Sequence, residues 1–107
     1  MTAIAEIWGH SVSRVGATCT VTLSGELDMS ICDDLVHVLV DEVHRPGVSC
    51  VQADLDGVHF IDSSAINALI GAYRCARSSG RRFTVTRAHD HVRRVLDVTG
   101  VLPTLSA

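Results

Sequence analysis

Asp62-Ser63-Ser64 sets a carboxylate directly before two adjacent hydroxyls, at the point where the strand-like run Val58-His59-Phe60-Ile61 gives way to helical spacing. A serine at a helix N-terminus faces free backbone N–H groups and the positive end of the helix dipole. Such a place accepts a phosphate readily. Acids on the same edge would feel the added charge. The residue types therefore point to a modification switch rather than a catalytic pocket. The ordinary job of such a serine is to cap the helix, and capping is compatible with a switch. A second acid, Asp28, follows Gly25-Glu26-Leu27. It serves either the dipole of the following helix or the recognition of something that meets the serines.

Other chemistry is poorly supported. All nine basic residues are arginine, so there is no P-loop lysine, Schiff base or pyridoxal attachment. Ile61-Asp62-Ser63-Ser64-Ala65 lacks the Gly-x-Ser-x-Gly of a nucleophile elbow, and no histidine is placed as its base. A receiver domain, also α/β with acids at strand ends, relies on a lysine that is missing here. No enzyme activity is expected. The acids Asp28, Asp56 and Asp62 are of the type that holds Mg²⁺, but as turn acids they are read without metal. His89-Asp90-His91 has no third ligand nearby and is read as solvated. Neither metal nor cofactor is expected. The four cysteines form no C-x-x-C pair. Cys19, Cys50 and Cys75 read as buried thiols, and Cys32 as partly exposed.

Charge is polarised along the chain. Nine of twelve acids fall between Glu26 and Asp62, and seven of nine bases between Arg74 and Arg94. The basic stretch has no aromatic interleaving, so it reads as a solvated face and direct nucleic-acid binding is not expected. No apolar run approaches the roughly 20 residues that span a bilayer. The N-terminus lacks a basic region followed by an apolar one. A cytoplasmic location away from the membrane is expected.

The elements that must position the serines follow from periodicity. With 107 residues, 47% of them hydrophobic, a single domain over 1–107 with one core is expected. Alternation over Ala3–His10 and Thr18–Leu23 gives a hairpin turning near Arg14–Gly16. Gly25–Asp28 breaks the pattern. Ser30 is placed to cap a first helix, with Ile31, Leu35, Val38, Leu39 and Val43 inward and an end near Arg45, ahead of Pro46-Gly47. Val48–Leu55 is a buried strand, Asp56-Gly57 a turn, and Phe60 and Ile61 fold back into the core. A second helix covers about Ser64–Ser79, with Ile66, Leu69, Ile70 and Tyr73 inward and Gly80 as its stop. Phe83–Thr86 is a strand, and Asp90–Thr99 a helix with Val92, Val95 and Leu96 inward. Val101–Leu105 is a last strand or a docked tail. Strand–helix alternation after a hairpin implies a mixed sheet with parallel βαβ units and helices packed on it. Asp28 and Ser63 then leave the sheet on the same carboxyl edge, where functional groups of open α/β sheets collect.

Gly25-Glu26-Leu27-Asp28 at a strand end, followed about 35 residues later by Asp62-Ser63-Ser64 opening a helix, resembles the STAS domain. The chain looks most like the single-domain bacterial anti-sigma factor antagonists. The likeness runs through Val92-Arg93-Arg94-Val95-Leu96-Asp97-Val98-Thr99-Gly100. It implies a partner switch. The unmodified protein binds an anti-sigma factor that is also a serine kinase, which frees a sigma factor. Phosphorylation breaks the complex and a phosphatase restores it. The family's acceptor serine maps onto Ser63, with Asp28, Asp62 and Ser64 in partner or kinase recognition. Two departures stand out. Ala65 replaces the usual glycine, which alters how closely a kinase backbone can approach. The chain also has less after its third helix than many relatives, which bears on the core or the partner surface. The competing reading keeps the fold but makes the chain a scaffold or sensor module in another regulatory complex, not acting on a sigma factor.

Overall fold

The structure, a computed structural model, describes residues 8–106. The part of the first expected strand before Trp8 lies outside them. β1 (Trp8–Val15) and β2 (Thr18–Leu27) form a hairpin as expected, but β1 runs five residues past the expected end at His10, with Arg14 paired in the ladder, and the turn is Gly16 and Ala17. Gly16 takes the φ of +60° that this tight loop needs. A 3-10 turn (Met29–Ile31) leads into α1 (Cys32–Val43). Then follow β3 (Cys50–Ile61), α2 (Ser63–Ser78), β4 (Arg82–Thr86), α3 (Asp90–Val98) and α4 (Leu102–Leu105). The sheet order is β1-β2-β3-β4, antiparallel at the hairpin and parallel elsewhere. This is the expected mixed α/β architecture.

Alternation sorts the sheet into two unlike faces. Cys19, Val21, Leu23, Val51, Ala53, Leu55, Phe83 and Val85 are buried on one face. Thr18, Thr20, Thr22, Gln52, Thr84 and Thr86 stand half-exposed on the other. Helices cover the apolar face, and the molecule is only 21 Å thick, as two layers require. α1 contributes Leu35, Leu39 and Val43, with Val38 half-buried. α2 contributes Ala65, Ile66, Ala68, Leu69, Ala72 and Ala76. Its buried stripe is thus centred on alanines, and Ile70 and Tyr73, expected inside, are only half-buried. Small residues let α2 lie close to both the sheet and α1. No helix among the described residues is long and apolar enough to cross a membrane.

The glycine-rich stretches depart from expectation. β2 runs through Gly25 to Leu27, and β3 runs through Asp56-Gly57 to Ile61. The register between them slips after Thr22 and again after Gly25, with the extra residue in β3 each time. Bulges of this kind absorb turn-like residues without ending a strand. A Cβ on Gly57 would lie 3.1 Å from the Ser24 Cβ and 3.2 Å from the Leu23 carbonyl oxygen, so glycine permits the close pairing. α2 and α3 both end on the expected glycines. The Arg81 N–H reaches back to the Ala76 carbonyl at 2.8 Å, and the Val101 N–H to that of Leu96 at 3.2 Å, each around a glycine with positive φ. The tail after α3 docks as a short helix. Leu105 is fully buried and its carbonyl accepts from the Thr84 hydroxyl at 3.0 Å.

Candidate functional site

β2 and β3 end side by side, with Leu27 opposite Ile61. The Asp62 N–H extends that ladder by donating to the Leu27 carbonyl at 3.1 Å. Asp28 and Ser63 therefore emerge next to each other on the carboxyl edge, as the parallel reading requires.

Asp62 does more than a default turn acid. It holds the N-cap position of α2 with extended backbone, and its Oδ1 accepts from the Ala65 N–H at 2.9 Å. Its Oδ2 accepts from the Met29 N–H at 3.0 Å. One carboxylate thus caps a helix and ties the 3-10 turn to it. Asp28, not Ser30, is the cap on the first helical segment. Its Oδ1 accepts from the Ser30 N–H at 2.9 Å and from the Ser30 hydroxyl. Ser30 fails as a cap because it lies one residue inside the 3-10 turn.

With Asp62 as cap, Ser63 is the first residue of α2 and Ser64 the second. Ser63 is exposed and Ser64 half-buried. Neither hydroxyl is engaged in a hydrogen bond among the described residues. The N–H groups of both serines have no helical partner, whereas that of Ala65 is taken by Asp62 and that of Ile66 by the Asp62 carbonyl. The exposed Ser63 hydroxyl thus sits on the first turn of a 16-residue helix, at its positive end, where two amide donors are open. Ala65 has its methyl fully buried, so the departure at this position faces the core rather than an approaching partner.

The local field is negative. The Cys32 thiol donates to the Asp28 carbonyl at 3.2 Å. Its pKa is raised first by burial, then by the charges of Asp62, Asp28 and Asp33. No ion pair among the described residues involves Asp28, Asp33 or Asp62; the carboxylates of Asp28 and Asp62 accept from backbone N–H groups and a serine hydroxyl. Beside the acids lie two exposed apolar groups, Met29 at 75% and Phe60 at 39% of full exposure. Phe60 was expected in the core. The slipped register turns it outward, where it stacks on His91 with ring centroids 5.9 Å apart. Met29 and Phe60 are the functional candidates that periodicity missed.

The remaining suspects are engaged elsewhere. Asp56 faces Arg87 at 4.0 Å and His89 at 3.7 Å. His89 lies between the Asp56 carbonyl at 2.6 Å and the Asp90 carboxylate at 2.9 Å, so it is tied down rather than simply solvated. No three His, Cys, Asp or Glu side chains among the described residues converge on a metal position. Cys50 and Cys75 are half-buried, not buried, because they sit on the polar sheet face and at the rim of α2.

Residues 10–102 match the family model described as "Mlab, STAS domain". An anti-sigma F factor antagonist of Paenibacillus polymyxa is 32% identical over 82 residues, 76% of this chain and 69% of the relative. Among solved structures, an anti-sigma factor antagonist from Mycobacterium paratuberculosis superposes with a TM-score of 0.81 at 23% identity, over 92% of this chain and 82% of that one. The unphosphorylated anti-sigma factor antagonist SpoIIAA gives 0.77 at 20% identity, over 89% and 84%. The phosphorylated Bacillus form of SpoIIAA gives 0.67 at 19%, over 92% and 89%.

Proposed function

The chain belongs to the STAS domain family, and from that premise we propose that it is an anti-sigma factor antagonist whose bare form binds an anti-sigma factor and is switched off by phosphate on Ser63. Its role is regulatory binding in the cytoplasm, not catalysis. The partner doubles as the serine kinase, and a separate phosphatase resets the switch. The observation that carries this reading is the setting of Ser63: an exposed hydroxyl on the first turn of α2, flanked by Asp62 and Asp28 and bordered by Met29 and Phe60.

The switch follows from charge. A phosphoserine brings about −1.5 to −2 charges at pH 7. The open N–H groups of Ser63 and Ser64 accommodate it, so the helix and the fold survive. The partner surface does not remain the same. Methionine and aromatic side chains are favoured at the dry centre of an interface, and Met29 and Phe60 would supply that centre. The phosphate would sit at its border, in a field already negative from Asp28, Asp33 and Asp62. Like-charge or unpaired contacts cost several kcal/mol at an interface, and each 1.4 kcal/mol weakens binding about tenfold. Asp28 and Ser64 take part in recognition, and Asp62 holds the two loops together.

Two experiments test the reading. Mass spectrometry after incubation with the cognate kinase should place the phosphate on Ser63; modification of Ser64 alone would overturn the assignment. Affinity capture with the bare protein should return an anti-sigma factor. Capture of a complex with no connection to a sigma factor would favour the scaffold or sensor reading instead.

A further inference from the structure

At the opposite end of α2 from Ser63 lies a groove of ≈ 400 Å³, lined by Tyr73, Arg77, Arg81, Arg82 and Phe83. At about 1.5 Å of rise per residue, Arg77 is roughly 21 Å along the helix from Ser63. The groove is therefore separate from the switch. Three of its five lining residues are arginines, and none is acidic. The ion pairs among the described residues involve Arg14, Arg45, Arg87 and His89, none of which lines the groove.

Two of these guanidinium groups, those of Arg81 and Arg77, are positioned without an ion-pair partner. Arg81 Nη1 donates to the carbonyls of Val43 and Arg45, the latter at 2.7 Å, which pins it to the C-terminal end of α1. Arg77 Nη1 donates to the Tyr73 hydroxyl at 3.0 Å. Each planar fork keeps further N–H donors for an oxyanion. Three arginines line one groove with no carboxylate paired to any of them, which favours an anion of two charges there. The buried Phe83 forms an apolar floor and the half-buried Tyr73 a wall. The volume falls in the range of small-molecule sites, about 300–1,000 Å³.

We propose that this groove binds a small organic phosphate ester, with Arg77, Arg81 and Arg82 on the phosphate and Tyr73 and Phe83 against the planar body of the molecule. A groove of this volume suits a small ligand from solution rather than an extended peptide.

The test is an amide NMR titration of the whole chain with phenyl phosphate, inorganic phosphate and phenol as probes. Phenyl phosphate should bind saturably, with shifts centred on the last turn of α2 and the start of β4. Inorganic phosphate should bind there more weakly, and phenol not at all. Replacing both exposed arginines (Arg77→Gln with Arg82→Gln) should weaken phenyl phosphate by about tenfold or more, since charge-assisted pairs are the strong ones. The corresponding pair of lysine substitutions should recover part of the loss, because lysine keeps the charge but not the fork. Circular dichroism should show both variants folded. The proposal fails if phenyl phosphate gives no saturable shifts, if the glutamine variant binds it equally well, or if the shifts centre on Ser63. It fails equally if an Asp/Glu-rich peptide displaces phenyl phosphate and binds more tightly.

Discussion

Glu42 and Asp62 stand at opposite ends of the sheet and are held in opposite ways. Glu42, only 5% exposed, is gripped by the Arg14 guanidinium at 2.9 Å and the Arg45 guanidinium at 3.0 Å, and also accepts from the Cys19 thiol at 3.3 Å. The hydrogen bond from Arg45, then that from Arg14, brings its pKa down to about 2 despite burial. Asp62 takes two backbone N–H groups and no guanidinium. The Glu42 carboxylate ties α1 to β1 and β2 and the Asp62 carboxylate ties α2 to the 3-10 turn, but only the charge of Glu42 is cancelled on the spot. At the carboxyl edge the charge of Asp62 adds to those of Asp28 and Asp33, as the raised Cys32 pKa registers. A neutralised clamp gives rigidity. An edge held only by dipoles keeps its charge available, which is the setting the proposed switch at Ser63 relies on.

Removing the clamp should have the larger effect on stability. Glu42→Ala leaves two arginines without their partner and opens a small gap beside Cys19. Arg14 and Arg45 are 43% and 44% exposed, so they recover water and the cost stays near that of buried hydrogen bonds, about 1–3 kcal/mol. Urea denaturation should show it, and a change under about 0.5 kcal/mol would mean the clamp is ornamental. The folded-state pKa of Glu42 lies below its ordinary 4.5. Its contribution is therefore fully present above pH 4.5 and is lost as pH falls toward about 2. Glu42→Gln should flatten that part of the acid-stability curve.

Breaking the other tie should cost less. Asp62→Ala removes the α2 cap, worth about 0.5–2 kcal/mol, and frees Met29. Asp62→Asn retains an acceptor and should lose little. If Asp62→Ala proved costlier than Glu42→Ala, the contrast between clamp and edge would be reversed.

A smaller effect belongs to His89, on the loop before α3. Its pKa is raised, first by the hydrogen bond to the Asp56 backbone carbonyl and then by that to the Asp90 side chain. Arg87, Asp54 and Asp56 are the other charged groups about it. The stabilisation from protonated His89 is fully present below pH 6.5 and fades as pH rises through the raised value. Thermal melts of the wild type should show this decline relative to His89→Gln. Parallel pH curves for the two proteins would remove His89 from the account. Asp28→Asn should have the smallest effect on folding, within about 0.5 kcal/mol, since an amide oxygen still caps the 3-10 turn. Its effect should appear in calorimetric affinity for the anti-sigma partner, and unchanged affinity would reduce Asp28 to a cap.

Much of this arrangement was legible in the residues. The hairpin, the helix-ending Gly80 and Gly100, and the shared edge of Asp28 and Ser63 all follow from local rules of spacing and turn chemistry. The errors have physical causes. Gly25 and Asp56-Gly57 look like turns, but paired bulges keep both strands running, which in turn exposes Phe60. Ser30 and Asp28 are equally good caps by type, and only the 3-10 turn decides between them. The Glu42–Arg14 pair, and the Asp54–Arg87 pair on β3 and the loop after β4 at 2.6 Å, join residues 28 and 33 positions apart in sequence. No periodicity reports such pairs, because long-range pairing depends on the finished sheet. Asp62 was visible as an acid beside the serines, but its second bond, to Met29, needs both loops in place.

The central claim is that Ser63 is the point where added charge turns binding off without disturbing the fold. The most direct measurement is the calorimetric affinity of the anti-sigma partner for the bare protein, the Ser63-phosphorylated protein and Ser63→Ala after kinase treatment. Bare protein and Ser63→Ala should bind alike. The phosphorylated protein should bind at least about tenfold more weakly, a penalty of about 1.4 kcal/mol or more, while its circular dichroism and unfolding midpoint stay near those of the bare form. Equal affinity of the bare and phosphorylated proteins would contradict the account, as would a loss of binding that comes with unfolding of α2.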